Sequence, residues 1–135
     1  MDLGSSIMIS ASGMKAQGAR MRVIAENLAN SSSIAANGDE DPYRRKVVSF
    51  TNALDRELGV RTVRVNDVET DKSEFGRRYD PGHPAADGDG YVRTTNVNSL
   101  VETSDMREAQ RTYQANLSAV DAAKSMMMRT LDLLR

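Results

Sequence analysis

Apolar residues return every seven positions at both ends of this 135-residue chain, and the middle follows a different rhythm. Near the start the series is Ile7, Met14, Met21 and Leu28; near the end it is Met106, Tyr113, Val120, Met127 and Leu134. Small or apolar residues interleave with both: Ala11, Gly18 and Ala25 in the first, Ala109, Leu117, Ala123 and Leu131 in the second. A strict seven-residue repeat lays a narrow apolar seam along one side of a helix and favours left-handed supercoiling against a partner. The pattern predicts one helix over residues 3–29, closed by Asn30-Ser31-Ser32-Ser33. It predicts a second from Ser99 to the end, where Ser99 and Glu102 have the spacing of a capping box. At the helical rise these would be ~40 and ~53 Å long, against ~37 Å across for a compact sphere of this chain length. The expected shape is a rod.

Residues 31–42, SSSIAANGDEDP, read as a polar, acidic, flexible loop. Residues 43–50 and 60–68 carry β-branched and aromatic residues at strand lengths, with Val63 and Val65 alternating with Arg64 and Asn66. The stretch YDPGHPAADGDGYV, dense in Pro, Gly and Asp, reads as turns. The expected fold class is mainly α: long N- and C-terminal helices pairing as a coiled coil, with a small β/loop region inserted between them. Residues 1–30 and 99–135 would form the helical core and 31–98 the insert. Gly4, Gly13 and Gly18 each cost about 1 kcal/mol inside a helix relative to Ala. The first segment therefore needs a partner to order it. The second has better helix formers and pairs such as Glu108 with Arg111 and Asp121 with Lys124.

Composition narrows the function. The chain is 39% hydrophobic, with no Trp, two Phe and eight Met, so no large aromatic core is available. A net charge of -1 argues against nucleic acid and against a polybasic membrane patch. No apolar run approaches the length of a membrane span, and the N-terminus lacks the basic and apolar regions of a Sec-type signal peptide. Cysteine is absent, so disulfides and thiolate metal sites are excluded.

Candidate chemistry is thin. His83 lies among Asp80, Asp87 and Asp89, but a single imidazole between Pro81 and Pro84 falls short of the three or four rigid ligands a metal needs. Asp87-Gly88-Asp89-Gly90 partly resembles a calcium loop, yet the frame puts Ala85 and Asn96 where its first and twelfth ligands belong. Tyr43-Arg44-Arg45-Lys46 reads as a charged strand offset by the preceding Asp39-Glu40-Asp41, rather than as an anion site. There is no phosphate-binding glycine loop, no Cys nucleophile and no Ser–His arrangement. No catalytic residue, cofactor or metal is expected.

The methionines point towards assembly. Successive side chains at Met126, Met127 and Met128 are about 100° apart around a helix and cannot share one seam. Thioethers pack adaptably against varied neighbours, which fits a subunit buried on several sides. The assembly interface is expected on Ile7, Met14, Met21, Leu28, Met106, Tyr113, Leu117, Val120, Met127, Leu131 and Leu134. The alternative, from a different class, is a soluble coiled-coil adaptor or chaperone forming a discrete dimer.

Four blocks carry a family likeness. They are Ala11-Ser12-Gly13-Met14-Lys15-Ala16-Gln17 through Glu26-Asn27-Leu28-Ala29-Asn30, then Pro42-Tyr43-Arg44-Arg45-Lys46 with Val47 and Val48. The third is Tyr79-Asp80-Pro81-Gly82-His83-Pro84 with Ala86-Asp87 and Gly90-Tyr91-Val92, and the last runs from Tyr113-Gln114-Ala115-Asn116-Leu117 to Ala122-Ala123-Lys124-Ser125-Met126. In these blocks the chain resembles the flagellar rod and hook axial proteins, and within them a proximal rod protein of the basal body. The resemblance implies a subunit exported unfolded through the flagellar type III apparatus without cleavage. It implies polymerisation into a hollow periplasmic shaft that transmits motor torque and conducts exported subunits. Implied partners are further copies of the chain, the rod proteins FlgB and FlgF, then FlgG and FliE, and through them the MS ring.

Overall fold

The computed structural model describes residues 2–57 and 59–134. Helix α1 spans Leu3–Ala29 and helix α2 spans Ser99–Leu133. Between them lie strands β1 (Lys46–Asp55), β2 (Val60–Thr70), β3 (Gly76–Tyr79) and β4 (Tyr91–Thr94). β1 and β2 form an antiparallel hairpin paired from Lys46↔Thr70 to Asp55↔Val60, with a bulge between Ser49 and Phe50. β3 and β4 form a second, shorter antiparallel pair, where Tyr79 and Tyr91 meet edge to face at 5.3 Å.

This corrects the expected fold class. The arrangement is helix–strand–helix with two antiparallel sheets, not a coiled coil carrying a small insert. The physical reason lies in the middle third. Its β-branched positions extend the first hairpin to strands of 10 and 11 residues, long enough to lie along α1 rather than hang off it.

The helices run antiparallel over their shared length. Asn27 meets Glu102, Arg20 faces Asp105 and Glu108 at 3.7 Å each, Gly13 abuts Asn116, and Leu3 lies beside Met127 and Leu131. Their innermost positions are small or polar: Ser10, Ala16 and Asn27 on α1, Glu102, Ala109 and Ala123 on α2. The seven-residue spacing is present on α2, but its deepest line is Glu102, Ala109, Asn116 and Ala123. Ile24 is the one large apolar side chain fully buried on either helix among the described residues.

Helix ends follow the usual chemistry with one change from expectation. The N-cap of α2 is Asn98, whose side chain accepts from the Leu100 and Val101 backbone N–H groups. The capping box of Ser99 and Glu102 is not formed, because Glu102 turns inward. At the end of α1, Asn30, Ser31 and Ser33 donate side-chain hydrogen bonds to the carbonyls of Glu26, Leu28 and Asn30, which satisfies groups that a helix end leaves open.

The acidic loop before β1 also departs from expectation. Its charge is offset by β4: Arg93 reaches Asp41 at 2.8 Å and the Gly38 and Glu40 carbonyls at 3.3 Å each. Arg44 lies over the Phe75 ring, 4.1 Å from its centre, and Arg45 and Lys46 pair with residues of the two helices. Residue order along the chain does not decide these pairs; the return of β4 past the loop does.

Two glycines on α1 make opposite demands. A Cβ on Gly13 would lie 2.9–3.1 Å from the Asn116 side-chain amide, whereas one on Gly18 would meet nothing within 4 Å. Gly18→Ala should therefore stabilise the free chain by about 1 kcal/mol, the ordinary helix-propensity gain. Gly13→Ala should gain nothing or destabilise, and adding Asn116→Ala should recover the gain. Urea unfolding of the four proteins measures this; equal gains at both glycines would refute the close crossing.

Candidate functional site

Among the described residues the deepest polar group is a carboxylate. Glu102, in the first turn of α2, has 0% of its surface exposed, and Asn27, in the last turn of α1, has 1%. A charge held there is costly unless it is paired and hydrogen-bonded. Glu102 is: one oxygen accepts from Arg45 Nε, and the other accepts from Asn27 Nδ2 at 3.0 Å.

Asn27 does more than hold Glu102. Its Nδ2 also donates to the Lys46 carbonyl at 2.8 Å, and its Oδ1 accepts from the Lys46 N–H at 2.9 Å and from Tyr43 Oη at 3.0 Å. The amide pairs with the backbone of Lys46 as a neighbouring strand would, so the base of β1 is hydrogen-bonded to α1. Arg45 completes the connection, with its two terminal nitrogens 3.5 Å from Asp71 and 3.4 Å from Asp105. Asn96 accepts from the Arg45 N–H at 2.7 Å and donates to the Asp71 carbonyl and Ser73 Oγ. Both helices, the entry to the long hairpin and its exit thus meet at one hub.

The hub shifts its titrating groups in ways that follow from these contacts. Burial pushes the Tyr43 phenol up to about 12, helped by the negative charge of Glu26. The hydrogen bond to Glu102 raises the Arg45 guanidinium further. Asp71 is lowered, first by the Ser73 backbone N–H, then by the Ser73 side chain and Arg45.

The residues expected at the assembly interface are spread along the whole helix pair and none belongs to the hub. Ile7, Met14, Met21 and Leu28 on α1 are each half-buried, as are Met106, Tyr113, Leu117, Val120 and Met127 on α2. Leu131 and Leu134 are exposed, at 61% and 80%. The fold brings the first nine alongside the helix pair and leaves one side of each uncovered. The last two turns of α2 lie beside the start of α1, at Asp2 and Leu3, and still leave Met126, Met128 and Leu133 exposed.

Hub residues Asn27, Arg45, Asn96 and Glu102 escape a reading based on apolar periodicity. The signal for Glu102 is its place seven residues before Ala109 and twenty-one before Ala123 on α2, an inner-line position filled by a charge. His83 and its neighbours hold a turn: His83 Nδ1 accepts from the Ala85 N–H, and Asp87 Oδ1 accepts from the N–H groups of Asp89 and Tyr91. Among the described residues no three metal-ligating side chains converge.

Two long terminal helices, a polar hub and uncovered apolar flanks agree with the similarities this chain shows. Residues 89–133 match the family described as flagellar basal body rod FlgEFG protein C-terminal. The chain is 43% identical to the flagellar basal-body rod protein FlgC of Agrobacterium fabrum, over 98% of this chain and 96% of that one. It is 37% identical to that of Bacillus subtilis over 95% of each, and 39% identical to that of Salmonella typhimurium over 93% and 92%. The chain belongs to the FlgC family of flagellar basal-body rod proteins. It is a structural subunit of the rod, and the rod of the basal body is where it resides.

Removing one partner of the buried pair should cost about 3 kcal/mol or more, because the other is left uncompensated. Glu102→Leu and Arg45→Met singly should each do so, and the double variant should lose far less than their sum. Urea unfolding measures the cycle; additive losses would mean that the two groups do not interact. A second expectation concerns alkaline pH. The folded phenol of Tyr43 holds its proton above the unfolded value near 10, so stability falls as pH rises from about 10 towards 12. Tyr43→Phe should abolish that part of the slope, and an unchanged slope between pH 9.5 and 11.5 would contradict the assignment.

Proposed function

We propose that this rod subunit polymerises with copies of itself and with other rod proteins, chiefly FlgB and FlgF, with FlgG and FliE as further candidates. The product is the hollow periplasmic shaft that carries motor torque and conducts exported subunits. The MS ring anchors it indirectly, and the flagellar type III apparatus exports it without a cleaved signal. It acts as a structural element and not as a catalyst. One observation supports this above the others: the large apolar residues of both helices are half-covered in the single chain, and the end of α2 is bare. Exposed apolar surface of this extent marks an interaction site, and its spread around two helices calls for several neighbours rather than one. A chain ordered fully only on assembly is also suited to passing through a narrow channel beforehand.

Met21→Asp or Val120→Asp should block incorporation into rods and swimming, since either places an unpaired charge against neighbouring subunits. Asn37→Ala, in the exposed loop, should swim normally. Helicity of the purified chain, followed by circular dichroism over a dilution series, should rise as it polymerises. A concentration-independent dimer with one sharp melt, or normal swimming by either Asp variant, would overturn the proposal.

A further inference from the structure

We propose that Asn37 is a self-modifying site: the Gly38 backbone nitrogen displaces its side-chain amide, and water opens the resulting ring to aspartate or isoaspartate. The site stands on the loop before β1 alone and does not depend on how the subunit assembles.

Asn37 is the one asparagine in the chain followed by glycine. Without a Cβ, Gly38 leaves the approach to its own nitrogen uncrowded. Both residues are exposed, and they lead a turn in which the Glu40 N–H donates to the Asn37 carbonyl at 3.2 Å. In comparable turns the leading side chain is occupied. Asp55, Asp71 and Asp87 each accept from the backbone N–H two residues on, at 3.1, 2.9 and 3.0 Å. Among the described residues the Asn37 side chain makes no such bond, so its Cγ can turn onto the Gly38 nitrogen.

The other asparagines lack this freedom. Asn27, Asn30, Asn96, Asn98 and Asn116 are each held by side-chain hydrogen bonds. Asn52 and Asn66 lie in β1 and β2, where strand pairing keeps the main chain extended and opposes bending into a ring.

Water is the only reagent required. The Gly38 nitrogen gives its proton to hydroxide and bonds to Asn37 Cγ; the Cγ–Nδ2 bond breaks, and ammonia leaves with a proton taken from water. Water then adds to one of the two ring carbonyls, and the carbon–nitrogen bond on that side breaks. Opening at Cγ gives aspartate, and opening at the main-chain carbonyl gives isoaspartate. Either product puts a carboxylate beside Asp39, Glu40 and Asp41, in the loop that Arg93 holds through Asp41 and the Gly38 and Glu40 carbonyls. Isoaspartate also lengthens the main chain by a methylene and turns the carbonyl that closes the turn into part of a side-chain carboxylate.

The full-length chain, aged at physiological temperature and mapped by peptide mass spectrometry, should accumulate both acids at residue 37. That rate should exceed the rate at every other asparagine by at least about tenfold and should rise with pH, since the attacking nitrogen must lose its proton. Gly38→Ala should slow it at least about tenfold. The fold tolerates that change, because a Cβ there meets only the Ala85 backbone, at 3.9 Å. In guanidinium the unfolded chain should react at Asn37 within about tenfold of the folded rate. Stronger protection in the folded chain would show that the turn is not free to cyclise. Aspartate without isoaspartate, or Gly38→Ala ageing as fast as the parent, would overturn the ring-forming route.

Discussion

A carboxylate cut off from solvent imposes conditions on everything around it. Glu102 is tolerable in the interior only while Arg45 and Asn27 both face it, because the cost of drying a charge is several kcal/mol and is offset only by good partners. Arg45 stands one residue before β1, and Asn27 near the end of α1. Seating α2 therefore requires that α1 and the strand entry already be in place. The same amide that holds Glu102 pairs with the backbone of Lys46, so hairpin and helices cannot be positioned independently. In a chain whose wholly buried apolar residues are mostly alanines, this polar contact sets the register that a large core would set elsewhere.

The small-residue seam has a second consequence. Alanine and glycine let α1 and α2 approach closely, as Gly13 against Asn116 demonstrates, and close approach pushes bulkier side chains to the flanks. Methionine and leucine at the seven-residue positions are left half-covered. The same choice that makes the pair slender also leaves it apolar on its outside. A slim, sticky element is what a shaft built from many subunits needs.

Part of this was legible along the chain and part was not. Helical periodicity at both ends and β-branched alternation in the middle are local properties, visible one residue after another. The weight of the strands was not, since the partner of each position in β1 and β2 is settled across the hairpin and through a bulge at Ser49 and Phe50. Nor was the inner line of α2: Met106, Tyr113, Val120 and Met127 run parallel to Glu102, Ala109, Asn116 and Ala123, and hydrophobicity alone favours the larger set. Glu102, Asn27 and Arg45 look in sequence like ordinary surface polar residues. Only the third dimension distinguishes a solvated carboxylate from one that organises a fold. The family likeness, by contrast, rested on blocks of residues and did not need the packing.

Magnitudes then constrain how copies of such a chain hold together. Burying the five exposed large side chains at the end of α2 is worth about 2 kcal/mol each, on the order of 10 kcal/mol in all. Fixing one molecule against another costs 4–15 kcal/mol by itself. A single contact made through that helix end is therefore near balance and would hold two free subunits only weakly. The half-covered residues on the flanks of both helices supply further apolar surface that becomes useful only when more neighbours are present. Once a subunit is placed by one contact, the others form without a second loss of rotational and translational freedom. Weak pairs and a strong lattice follow from the same surfaces, which lets subunits remain apart until they reach a growing end and then stay there.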